Sequence, residues 1–249
     1  MTDWAAKRFW TDVIVTELDT NYAILLDDRP VKTPAKASLA VPTAALANAI
    51  ADEWRAQQDV IDPLSMPLTR SANSAIDKVR TQRVEVAQMV ADYGGSDLLC
   101  YRAVGPAPLV ARQAQAWDPL LNWAQTELNV RLTSVHGVVH VAQTTESTDR
   151  LTNIVMQQGP FSLTALYDLT ALAGSLIIGL AAQRHAFEIS SLWAASITDE
   201  TYQFDIWGDD EDASKLLKTK AASFESGGLD ITHHPLLIKT IFLFRSPLN

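Results

Sequence analysis

The run from Leu26 to Asp77, LDDRPVKTPAKASLAVPTAALANAIADEWRAQQDVIDPLSMPLTRSANSAID, limits what this chain can fold into more than any other segment. Proline has no backbone N–H to give a ladder and drives the residue before it into extended geometry, so Pro30, Pro34 and Pro42 each close a short extended piece. Pro42-Thr43 then opens a helix in which Leu46, Ala47, Ile50 and Trp54 recur at three- and four-residue spacings, which puts Trp54 on the buried stripe. Ile61-Asp62-Pro63 and Met66-Pro67 break the chain again. Upstream, FWTDVIVTEL, a polar Asp19-Thr20-Asn21 turn, YAILLDD and the LAV before Pro42 place apolar residues at near-alternate positions, the period of half-buried strands. A small, mainly antiparallel sheet domain is expected over 1–66.

Beyond Pro67 the pattern turns helical, which predicts an α+β chain with a larger helical domain over 67–249. Thr69 to about Tyr93 reads as one long or slightly broken helix ended by Gly94-Gly95, SDLLCYRA as an extended piece, and about Val110 to Leu128 as a further helix. Gly137 to Ala142 suggests an isolated strand. Ser147, Ser162 and Ser190 are hydroxyls able to cap helices reaching Gln158, about Gln183 and Phe204. The 14 residues from Leu169 to Ala182 are the longest apolar run. A membrane span needs about 20, so a buried core helix is the reading. From residue 226 the character changes, with a Gly227-Gly228 break and a strand-like LLIKTIFLF.

Composition narrows the partners. The chain has 249 residues, 47% of them hydrophobic and 20% charged, an ordinary globular mix. A formal charge of −9 opposes nucleic-acid binding, which needs clustered Lys and Arg on phosphates, and favours a cationic protein surface as partner. Cys100 is alone, so it forms no intrachain disulfide or thiolate cage. Within DLLCYR it reads as a small core hydrophobe, in keeping with a reducing compartment. MTDWAAKRFW has neither a signal-peptide core nor the Arg- and Ser-rich character of a transit peptide, and the expectation is a protein that acts where it is made.

Motifs for chemistry are scarce. Gly94-Gly95-Ser96 lacks the lysine and spacing of a phosphate loop, and Gly174 and Gly179, with Ala171 and Ser175, better suit close helix approach. His136 and His140 have no general-base glutamate between them, and the acidic run after Trp207 lacks the alternating ligands and glycine of a calcium loop. No metal and no cofactor are expected. The rival function is a small acid–base hydrolase with a carboxylate in the interdomain cleft, drawn from Asp62, Asp77 or Asp92. Asp62 before proline is better explained as a turn acceptor, Asp77 as a solvated ion pair with Lys78 or Arg80, and no GxSxG is present. Arg29-Pro30 with Lys32-Thr33-Pro34 forms a basic turn, given a structural role here: a solvated loop, or an anchor pairing Arg29 or Lys32 with acids. Asp209-Asp210-Glu211-Asp212 follows Trp207-Gly208 and opens a helix. One acid caps a helix, so the rest are expected to face outward as a docking patch.

Read in order, these short segments carry a family resemblance. KRF at Lys7–Phe9, LD-x-RP-x-KTP at Leu26–Pro34, A-x-EW-x-x-Q at Ala51–Gln57, and IDP-x-x-MPLTR-x-x-N-x-x-ID at Ile61–Asp77 come first. DLLCYR at Asp97–Arg102, a helix with W-DPLL at Trp117–Leu121, and YQ-x-x-x-WG-x-D-x-EA from Tyr202 follow, with Asp212 where the family has its last glutamate. The chain thus resembles, over about 7–224, the assembly chaperone family of the F-type ATP synthase catalytic head. The resemblance implies a sheet domain followed by an orthogonal helical bundle, no enzymatic activity and no ATP requirement. The implied partner is the unassembled alpha subunit, held by a monomer in a bacterial cytoplasm, or in the mitochondrial matrix for a processed form. The partner-binding residues implied are Trp207, Asp210, Glu211 and Asp212.

Overall fold

The structure, a computed structural model, describes residues 7–208 and 210–227; the strand-like tail, His233 and His234 lie outside them. The described residues gather into two compact units, 7–81 with 160–164, and 82–159 with 165–227. The junction read from the sequence at 66/67 falls inside the first unit.

In the first unit β1 (Val13–Leu18) pairs antiparallel with β2 (Asn21–Leu26) in the register Val13↔Leu26 to Leu18↔Asn21, and Asp19 takes the positive φ of the tight turn. The other edge of β2 meets β3 (Arg29–Pro30) and β4 (Ala40–Val41), so β2 is central and buries Ala23, Ile24 and Leu26. α1 (Ala44–Arg55) starts where the proline pattern places it, and the Thr43 hydroxyl accepts the Leu46 amide. Its buried face is Leu46, Ala47, Ile50 and Ala51, while Trp54 is half-buried against the edge of Trp10, with ring centroids 5.3 Å apart.

The long or slightly broken helix expected over 69–93 is broken into two. α2 (Pro67–Ser74) runs into a π-helical turn over Ala75–Val79, the chain bends at Arg80–Gln82, and α3 (Arg83–Asp92) begins in the second unit. SDLLCYRA is also not extended: Leu98–Cys100 form a 3₁₀ turn, and only β5 (Tyr101–Arg102) is strand, pairing in parallel with β6 (Val135–His136). None of the residues 137–142, read as a strand, is one; the pairing lies just before them and ends where Gly137 takes a φ of +91°.

The second unit is helical. α4 (Ala107–Glu127) buries Gln113, Trp117, Leu120 and Ala124, a single stripe, and retains Pro119 in its interior. Thr144, not Ser147, caps α5 (Thr145–Met156), because the Ser147 hydroxyl donates to the Arg131 carbonyl. The apolar run 169–182 is not one helix: α6 (Pro160–Ala173) ends at Gly174 in the left-handed region, and the Ser175 side chain caps α7 (Leu176–Gln183). Gly179 lets the two helices close up, since a Cβ there would stand 2.6 Å from Thr170 Oγ1. The helix read over 190–204 divides at Ile197 into α8 (Ile189–Ser196) and α9 (Thr198–Trp207), and α10 (Glu211–Gly227) follows, burying Phe224 against Trp193. Among the described residues no helix is long and apolar enough to cross a membrane.

Candidate partner-docking surface

Most motif side chains of the first unit turn inward on one another. Glu53 accepts from the amides of Leu68 (2.7 Å) and Thr69 (2.8 Å) and from the Thr69 hydroxyl (2.7 Å), capping α2, and burial pushes its carboxyl above the ordinary range. Gln57 is buried, takes the Asp62 amide on its oxygen (2.7 Å) and donates to Ser65 Oγ (3.0 Å). The EW-x-x-Q helix is thereby latched to the IDP-x-x-MPLTR segment. Asp77 is not the solvated ion pair expected, because it accepts from the Thr33 hydroxyl (2.6 Å) and the Ala35 amide (3.0 Å), pinning the KTP turn. Arg8 donates to the Gln57 carbonyl (2.6 Å).

Arg29 and Pro30 are exposed in β3, held by pairing with Leu26 and Leu25. The Arg29 guanidinium lies 5.8 Å from the centre of the Phe9 ring. Its charge adds to the Asp12 and Thr11 amides, which hold the Asp27 carboxyl below its ordinary range. Neither Arg29 nor Lys32 forms a salt bridge among the described residues.

The second unit repeats the inward habit. Asp97 is fully buried, accepts from the Leu99 and Ile177 amides (both 3.1 Å), and joins the 3₁₀ turn to the start of α7. Burial pushes its carboxyl up to about 6 against those hydrogen bonds. Cys100, buried as expected, has its thiol pushed up to about 12 by burial and by Asp97, which leaves it inert at neutral pH. Arg102 donates to the Leu99 carbonyl (2.9 Å), pairs with Asp118 (2.8 Å) and covers the Trp117 ring. Trp117 Nε1 donates to the Ala195 carbonyl (2.8 Å), and Gln113 donates to Asp199 (2.7 Å).

The corner between α9 and α10 is different. Trp207 is 79% exposed and Ile206 58%, and Gly208 at φ +86° turns the chain away. Asp210 Oδ1 accepts the amides of Asp212 (2.9 Å) and Ala213 (3.2 Å), so it is the cap of α10. Glu211 and Asp212 stand exposed in the first turn. The four residues named from the sequence are therefore all exposed within one short stretch, one of them also holding the helix.

The acids and histidines weighed from the sequence have local partners. Asp62 accepts the Leu64 amide as a turn residue should, and Asp92 takes the Gln88 side chain. His140 meets the Tyr101 hydroxyl at 3.0 Å, His136 lies near the Ala103 carbonyl, and among the described residues no group of three His, Cys, Asp or Glu is placed to hold a metal.

A feature not read from the sequence is a groove of about 450 Å³ bordered by α4, α8, α9 and Phe187. Leu120, Leu192 and Ala195 are its buried floor. No local pattern marks it, because its lining comes from residues 112–120 and 187–201 and meets only in three dimensions.

The sequence model described as ATP12 chaperone protein matches residues 7–125. The chain is 25% identical over 233 residues to "Protein atp12, mitochondrial" of Schizosaccharomyces pombe, covering 87% of this chain and 80% of that protein. The crystal structure of Atp12 from Paracoccus denitrificans superposes with a TM-score of 0.87 at 48% identity, covering 91% of this chain and 97% of that one. The Atu1473 protein of Agrobacterium tumefaciens gives a TM-score of 0.86 at 37% identity, over 89% and 84%.

Proposed function

The chain belongs to the ATP12 chaperone family, the assembly chaperones of the F-type ATP synthase, and from this premise we propose that it is a passive holdase for the unassembled alpha subunit. Obligate subunit interfaces are core-like and aggregate when uncovered, so a chaperone need only occupy the alpha surface that the beta subunit later takes. Release then follows by competition, without nucleotide and without catalysis. The identity to the Paracoccus protein favours a bacterial cytoplasmic setting, with the mitochondrial matrix for a processed form, and we take the working unit to be a monomer.

The observation that carries this reading is the contrast in direction among motif residues. Glu53, Gln57, Asp77, Asp97 and Arg102 are occupied by intramolecular partners, whereas Trp207, Glu211 and Asp212 face outward. An exposed indole among acids suits a partner that is apolar with a cationic rim.

Light scattering during refolding of isolated alpha subunit tests the proposal. Suppression at near-equal stoichiometry without nucleotide is expected. Suppression that appears only with ATP, or none at all, overturns it.

A further inference from the structure

We propose that the groove bordered by α4, α8 and α9 seats an aliphatic or aromatic side chain of a client segment flanked by Lys or Arg. The proposal deepens the reading above and takes the alpha subunit as that client.

The groove has a place for an anchor. Its floor of Leu120, Leu192 and Ala195 is 3%, 1% and 5% exposed, with the buried Thr198 beside them, and a volume of about 450 Å³ lies within the range of ligand pockets. Ala194 and Pro119 on the exposed rim are too short to fill it.

Beside the donors of Arg112, Gln115 and Ser191, the rim carries acceptors. Pro119 has no N–H to give the Gln115 carbonyl one turn earlier, so that oxygen lacks its usual helical partner. The Thr201 hydroxyl donates to the Ile197 carbonyl (2.8 Å), which leaves its oxygen as an acceptor at the groove.

Charge then selects the flanks. None of the lining residues is an acid, but from Ala186 to Trp207, the stretch that holds α8 and α9, the chain carries four acids, Glu188, Asp199, Glu200 and Asp205, and no Lys or Arg. Arg112, the cation among the lining residues, is already bound to Asp205 (2.7 Å) and stacked over Tyr202, so it offers little to an anion. An apolar floor, acceptors on the rim and negative surroundings fit a cationic amphipathic segment and repel an acidic one.

Two synthetic amphipathic peptides of one pattern, Leu/Lys and Leu/Glu, titrated into ¹⁵N-labelled protein test this, with Ala194→Trp filling the groove and Ala194→Lys adding a repelling charge at the rim. The Leu/Lys peptide should shift the Thr198 and Thr201 amides, and each variant should weaken it about tenfold or more, a difference easily read in Kd. Melting curves confirm that the variants are folded; Ala194 is exposed, so either substitution serves if the other unfolds. Leu/Glu binding as tight as Leu/Lys, or folded variants that bind Leu/Lys like the parent, overturns the proposal. Capture of alpha subunit by the folded variants at parental strength also overturns it while leaving the holdase reading intact. A parent that discriminates the peptides but ignores alpha subunit keeps the groove's chemistry and overturns the client.

Discussion

Two helix starts in the 82–227 unit use the same local chemistry and differ in everything around it. At α7, Asp97 accepts backbone amides from a fully buried position, and a single carboxylate joins two segments. At α10, Asp210 accepts two amides in the open, and Glu211 and Asp212 stand beside it with no capping bond of their own among the described residues. One acid with the Ser175 hydroxyl is enough at the first, so the surplus at the second calls for another explanation. The motif tryptophans divide in the same way: Trp54 packs half-buried on Trp10, and Trp207 is 79% exposed. A recognisable motif can thus mark a joint or a surface, and only its direction tells which.

The largest test is on the interior side. Trp54→Arg places a cation where the indole nitrogen is buried without a hydrogen-bond partner among the described residues and where Trp10 supplies an aromatic edge. Half-burial lets an arginine head reach water, so the cost is set at about 3 kcal/mol rather than that of a fully buried charge. For a chain of this size that lowers Tm by roughly 6–12 °C. A variant melting with the parent would move Trp54 to the outward class.

Asp97 supplies a test with a sign. Its folded value of about 6 lies above the ordinary 3.8, so the folded state binds the proton more tightly than the unfolded one. The contribution is fully present below pH 3.8 and is lost as pH rises through about 6, a swing of about 3 kcal/mol from the gap between those values. Asp97→Asn does not titrate. The stability of the parent minus that of the variant, from urea unfolding at stepped pH, should therefore fall between pH 4 and 6.5, and parallel profiles would place Asp97 in a wetter joint than the structure does.

Local signals were legible and distant ones were not. Thr43, the Pro42 boundary and the near-alternating strands follow from neighbours a few residues apart, and β1, β2, β4 and α1 lie where that pattern puts them. The break at Gly174 was hidden because apolar residues continue across it, and the glycine's left-handed φ leaves no trace in hydrophobic period. Asp77 was misassigned because Lys78 and Arg80 are close in sequence, while its partners Thr33 and Ala35 are more than 40 residues away. The acidic corner could be read because excess acids are visible in the sequence itself. The groove could not, being a space between three helices.

The smallest effect on stability should come from the corner, where the docking assignment is most exposed to refutation. Glu211→Lys with Asp212→Lys keeps the Asp210 cap, so each change should cost within about 0.5 kcal/mol, the usual range for exposed sites. Adding Asp210→Lys removes the cap as well, at about 1 kcal/mol and roughly 2–4 °C in Tm. Capture of alpha subunit should nonetheless fall sharply already with the double variant, and added salt should weaken the parent in the same direction, since exposed charge pairs are screened over about 8 Å at physiological ionic strength. If the double variant unfolds, Glu211 and Asp212 belong with Asp97 as structural acids. If it captures alpha subunit as the parent does, the surplus acids have no docking role, and the exposed indole of Trp207 must act without them.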